Sequence, residues 1–152
     1  MTSSRIRGFT LIELVVVITI LGILAAFAIP RFISLDATAR SATVTGLAGT
    51  IRSSAALARG MSMATGNAAS VTMEGQAVAL ANSYPDASAG GIGNAINLSP
   101  GDFTFAPGAP AATGTATWQR TGAANAATCQ VSYTPPAAAG APPVVAIATA
   151  GC

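Results

Sequence analysis

From Phe9 to Ile29 the chain is predominantly apolar and carries one charge, Glu13. A helix needs roughly 20 predominantly apolar residues to cross a bilayer, so this run is long enough to span one. A carboxylate in hydrocarbon costs up to about 2.5–3.5 kcal/mol at the helix centre, and marks a functional site by default. Any structure for this chain must therefore give the run an apolar neighbour and give Glu13 a partner.

What precedes the run is short, polar and basic. Residues 1–8 carry Arg5 and Arg7 and suit the leading segment of an export signal, with the arginines kept on the cytoplasmic side. An ordinary secretory signal would use Ala26-Phe27-Ala28 as its small-x-small cleavage site. The apolar run is longer than such signals need, and neither a signal nor a plain anchor has a use for Glu13. A third reading cuts the chain between Gly8 and Phe9. The amine released at Phe9, with a typical pKa of about 7.7–8.0, would sit one helical turn from Glu13. Buried together, or across two neighbouring helices, the two charges offset much of each other's desolvation. On physical grounds alone the three readings stay open.

Beyond Pro30 a helical pattern continues. Phe32, Leu35, Ala39 and Ala42 form one apolar stripe, and Val44, Leu47, Ile51, Ala55 and Ala58 carry it on slightly rotated. Asp36 and Arg40 are spaced as an i,i+4 pair. Gly60 after Arg59 has the composition of a helix stop. The pattern predicts one helix from Phe9 to about Arg59, apolar all round in its first half and amphipathic in its second. Pro30 removes a hydrogen bond and bends the helix, and Gly22 weakens it upstream. Gly22 and Ala26 also allow close helix–helix approach in an apolar medium.

From Gly60 the period changes to two. Val71 and Met73, then Gly75-Gln76, then Val78 and Leu80 predict a hairpin. Phe103–Phe105, Thr115–Gln119, Thr128–Thr134 and Val144–Thr149 are further strand candidates, with Cys129, Val131 and Tyr133 on one face. Ser99-Pro100-Gly101-Asp102 reads as a turn. A connector from Tyr84 to Leu98 shows no period.

The chain has no histidine and no lysine, so it offers no catalytic triad, zinc site or phosphate-cradling loop. Glu74, Asp86 and Asp102 are scattered over turns and are expected to be solvated; no metal or other cofactor is expected. Without Arg5 and Arg7, five arginines face five acids, which is no nucleic-acid footprint. Arg120 beside Trp118 is the single Arg–aromatic pair in the sheet region that could serve such a role. Cys129 and Cys152, an even count behind an export-type N-terminus, favour a disulfide over two buried thiols.

Arg7-Gly8-Phe9-Thr10-Leu11-Ile12-Glu13-Leu14, continuing through Gly22-Ile23-Leu24-Ala25-Ala26 to Ile29-Pro30, closely resembles the N-terminus of type IV pilins and their pseudopilin relatives. The resemblance implies an α+β fold: a long bent N-terminal helix packed on a small antiparallel sheet. It also implies a division into a leader (1–8), a transmembrane and assembly half-helix (9–30) and an outer domain (31–152). A prepilin peptidase would cut after Gly8 and methylate Phe9, and Phe9 and Glu13 would guide assembly on an inner-membrane platform. Gly22 and Pro30 would let the helix loosen, and Cys129–Cys152 would close the C-terminal loop. The expected function is then a non-enzymatic structural subunit. It begins as an inner-membrane precursor and ends in an extracellular homopolymeric filament used for adhesion or motility, with no nucleic acid expected as partner. A secretion-system pseudopilin and a DNA-binding minor pilin are the alternatives. Arg31–Leu35, Ala39-Arg40, Gly46–Gly49, Gly75-Gln76, Tyr84-Pro85 and Cys129–Tyr133 look like the mannose-sensitive haemagglutinin-type pilins.

Overall fold

The computed structural model describes residues 8–96, 98 and 101–152; Arg5, Arg7, Ser99, Pro100 and the side chain of Phe32 lie outside them. The first element is helix α1, Leu11–Ala64. The chain divides into two compact units, Met1–Asp36 and Ala37–Cys152.

Within the first unit nearly all the described helix residues are exposed. Phe9, Leu11, Ile18, Leu24 and Phe27 are all exposed. An 18-residue stretch of α1 has a mean hydropathy of 2.8 and is wholly unburied, long and apolar enough to cross a membrane. Gly22 and Pro30 both lie inside the helix, which runs on through them. Leu35, Ala39 and Ala42, expected on a packed stripe, are exposed instead. The buried stripe begins at Val44.

In the second unit, Val44, Leu47, Ala48, Ile51 and Ala55 of α1 form one core with Trp118, Val131 and Tyr133. Those three side chains come from a four-stranded antiparallel sheet of order β4-β5-β6-β7: Phe103–Ala106, Ala116–Arg120, Gln130–Thr134 and Val144–Ala148. Period-two alternation explains the geometry, since Cys129, Val131 and Tyr133 all point inward and are fully buried. Phe105 packs on Trp118 with ring centroids 4.9 Å apart.

Further along α1, Ala58 and Met61 form a second core with Val71, Met73 and Val78. These belong to a second sheet, β1-β2-β3, with strands Ser70–Met73, Gln76–Ala81 and Tyr84–Pro85. The small antiparallel sheet that the pilin resemblance implies is here two antiparallel sheets. Both hairpins of this second sheet turn on two residues with positive φ: Glu74 (48°) and Gly75 (80°), then Asn82 (52°) and Ser83 (68°). Such turns match the right-handed twist of the flanking strands. Pro85, which cannot donate, sits in an edge strand, where no donor is needed.

Gly60 does not stop the helix. It is an exposed helical residue with open space around it, and α1 ends a turn later at Ala64. There the amide of Asn67 donates to the Ser62 carbonyl at 2.7 Å, and that of Gly66 to Met63 at 3.4 Å. With Gly66 at φ 77°, this is a Schellman cap. Extending the helix buries Ser62 and part-buries Met61, a gain that outweighs the weak propensity of one glycine.

The connector without a period is held by specific contacts. The buried Tyr133 hydroxyl donates to the Pro85 carbonyl at 2.7 Å. Asp86 accepts from the amide of Ser88 at 2.9 Å and from its hydroxyl, so it closes an Asx turn rather than being simply solvated. Burial drives the Tyr133 phenol well above its ordinary pKa of 10.0, and the nearby Tyr84 and Asp86 charges push it the same way. Gly91 is obligatory here, since a Cβ would lie 1.9 Å from an Asp86 carboxylate oxygen.

On the solvent side of α1, Thr43, Thr45, Thr50 and Ser53 donate their hydroxyls to helix carbonyls three or four residues back. Two arginines tie the helix to the sheets. Arg52 donates to the Val145 carbonyl at 3.1 Å, and Arg59 to the Tyr84 hydroxyl at 2.7 Å while lying over that ring.

Candidate functional site

Gly8, Phe9 and Thr10 precede the helix, and all three are exposed. Phe9 is 82 % exposed, so the bond between Gly8 and Phe9 lies in an accessible, non-helical segment. Uncovered, non-helical backbone is what a peptidase needs in order to bind a substrate.

Glu13 is the third residue of α1, and Thr10 is its N-cap. The Glu13 carboxylate accepts from the Thr10 amide at 2.9 Å and from its hydroxyl at 2.8 Å. The Thr10 hydroxyl in turn accepts from the Glu13 amide at 3.3 Å. This is a capping box, and it places the negative charge at the positive end of the helix dipole. Charge pairing alone offered Glu13 only the amine of Phe9 and missed Thr10. The Thr-x-x-Glu spacing ahead of an apolar run was the signal that could have found it. Beside the box, Phe9, Ile12, Glu13, Val16 and Val17 line a shallow groove of about 370 Å³. The site therefore combines a hydrogen-bonded carboxylate, an exposed non-helical segment at Gly8-Phe9 and an apolar groove.

The family model described as the prokaryotic N-terminal methylation motif matches residues 3–29. The type IV narrow pilus major component PilA5 of Thermus thermophilus is 52 % identical over 54 residues, which are 36 % of this chain and 47 % of that one. The type IV major pilin protein PilA of Myxococcus xanthus is 63 % identical over 35 residues, 23 % of this chain and 16 % of that one. Over these matched stretches the chain is homologous to type IV pilins. It spans less than half the length of either of these pilins. No solved structure matches it significantly.

The remaining expected sites fall elsewhere in the chain. Cys129 and Cys152 form a disulfide with their Cα atoms 4.8 Å apart. It is flanked by a pair of backbone hydrogen bonds, from Gly151 to the Thr128 carbonyl and from Asn125 to the Gly151 carbonyl, both 3.0 Å. A Cβ at Gly151 would come within 2.1 Å of the Thr128 hydroxyl. Among the described residues no group of His, Cys, Asp or Glu could hold a metal. The Arg120–Trp118 pair is not a stacking platform. Trp118 is buried, while Arg120 is held by Asp102 at 3.0 Å and lies over Phe103.

Proposed function

We propose that this chain is a structural subunit of a type IV pilus. It is made as an inner-membrane precursor, cut after Gly8 by a prepilin peptidase that methylates Phe9, and polymerised through its N-terminal helix on the inner-membrane assembly platform. The observation that carries this reading is the first half of α1. It has an exposed apolar surface with one carboxylate at its cap, inside the residues that the methylation-motif model matches. A helix that is apolar all round is stable only in a membrane or packed among similar helices. Before assembly the bilayer covers it, and afterwards copies of the same helix do. Gly22 and Pro30 give the half-helix its capacity to loosen as it changes surroundings. The second unit forms the outside of the filament and carries any adhesive or motility role; the subunit itself is not an enzyme.

Intact-mass measurement of the chain in sheared surface filaments tests this. The expected mass begins at N-methylated Phe9. A chain beginning at Ile29, cut after Ala28, would overturn the reading, and absence from sheared filaments would assign the chain to a secretion pseudopilus.

A further inference from the structure

The side-chain charges of the described residues are mostly spoken for within the chain. Glu13 is bonded by Thr10, Asp86 by Ser88, and Asp102 by Arg120. Arg40, Arg52 and Arg59 reach Cys152, Val145 and Tyr84. Asp36 also has a partner. Among the described residues, the Arg31 guanidinium and the Glu74 carboxylate have none. Arg31 lies in the first compact unit, and Glu74 in the second.

Glu74 is no ordinary turn residue. It takes the first position of a two-residue turn at φ 48°, a conformation that favours Asn, Asp or Gly over Glu. Outliers of this kind cluster where a side chain is held for a purpose. Glu74 lines two cavities of about 350 and 230 Å³, and both are also lined by Asn94. The larger contains Gln76, and the Asn94 amide already donates to the Ala77 carbonyl at 2.8 Å. The Asn94 side chain is thereby left with its oxygen free to accept, beside the carboxylate. The smaller cavity has a floor of Leu57, Met61 and Met73, with Leu57 exposed. Acceptors at one end and an aliphatic floor at the other suit a cation on an alkyl stem.

We propose that this groove receives Arg31 of a second copy of the chain. The proposal rests on the pilus-subunit reading and names one of its contacts. An open helical filament needs a heterologous interface, in which two different patches of one chain complement each other. Arg31 and Glu74 supply such a pair: one unmatched cation at the outer end of the apolar half-helix, and one unmatched anion in the outer unit. Its guanidinium would meet Glu74, Gln76 and Asn94, while its methylene stem would cover Leu57 and Met61.

Charge reversal in the full-length chain, expressed in its host, tests the contact. Arg31→Glu and Glu74→Arg should each lower the yield of sheared filaments by about tenfold through like-charge contact. The double variant should restore most of that yield. In the Arg31→Cys/Glu74→Cys pair, oxidised filaments should show disulfide-linked multimers that neither single variant forms. Failure of the double reversal to recover beyond the singles, or filaments of the cysteine pair without linked multimers, would overturn the contact. Loss from Glu74→Arg that Arg31→Glu leaves unrepaired would assign the groove to another cation and overturn it equally. Wild-type filaments that lack the chain would instead refute the subunit reading itself.

Discussion

Thr10 satisfies Glu13 twice, through its backbone amide at 2.9 Å and its hydroxyl at 2.8 Å. The carboxylate that looks unaffordable in the sequence is therefore already solvated by its own helix cap. Two hydrogen bonds do not neutralise a charge, so the group still favours a cation nearby. They do fix where it points, at the edge of the groove beside Phe9 and Ile12. Removing the charge should then separate processing from assembly. Glu13→Val is expected to leave cleavage after Gly8 intact while abolishing filaments, read by the mobility of the cell-associated chain and by sheared-fibre yield. Thr10→Val should fall between wild type and Glu13→Val, because the backbone bond survives. Normal filaments from Glu13→Val would contradict the role given to this carboxylate.

The C-terminal disulfide should be quantitative. Thiol labelling of the denatured, unreduced chain is expected to find no free cysteine. Closing a loop with a separation of 23 residues stabilises by about 3–4 kcal/mol on the chain-entropy model. Replacing both cysteines by serine should lower the unfolding free energy of the detergent-solubilised chain by a similar amount, measured in urea.

Tyr133 makes stability sensitive to alkali. The folded chain keeps the phenolic proton above the ordinary value of 10.0, whereas the unfolded chain releases it there. The contribution is fully present below about pH 10 and is lost as pH rises further, because the unfolded state then binds fewer protons. Urea midpoints should fall above pH 10. Tyr133→Phe should flatten that fall and, by orphaning the buried Pro85 carbonyl, cost about 1–3 kcal/mol at neutral pH.

The two glycines at the end of α1 should respond in opposite directions. Gly60 is helical, and a Cβ there would meet only open space, so Gly60→Ala should stabilise by up to about 1 kcal/mol. Gly66 holds the cap at φ 77°, so Gly66→Ala should destabilise by about 1 kcal/mol or more. Thermal melts of the two variants on either side of wild type would check the position of the helix end.

What the sequence disclosed depended on how local the controlling physics was. The Val71–Leu80 hairpin was legible because alternation and a Gly turn lie within ten residues, and the observed register pairs Val71 with Val78. The inward face of Cys129, Val131 and Tyr133 followed from period two alone. Gly60 misled because a helix end is decided by what the next turn can bury, and Met61 and Ser62 find partners only in the folded unit. The stripe from Leu35 to Ala42 misled for a related reason, since periodicity shows that a face exists but not how far its partner extends. The 84–98 connector has no pattern because its order comes from distant groups, such as Tyr133 on Pro85 and Gly108 on Ala87. At the N-terminus, charge logic pairs Glu13 with the amine of Phe9, whereas the structure bonds its carboxylate to Thr10, a local capping contact that charge alone does not signal.

The hydroxyls of Thr43, Thr45, Thr50 and Ser53 change what the outer face of α1 means to water. By composition that face is polar and should hold its hydration tightly. Each of these donors is instead already occupied by a carbonyl of its own helix. Removing water from such a surface orphans no hydroxyl hydrogen, so the usual penalty for drying a serine- and threonine-rich face is largely absent. A stretch that a hydropathy scale scores as wettable is, by its hydrogen bonding, close to an alanine surface.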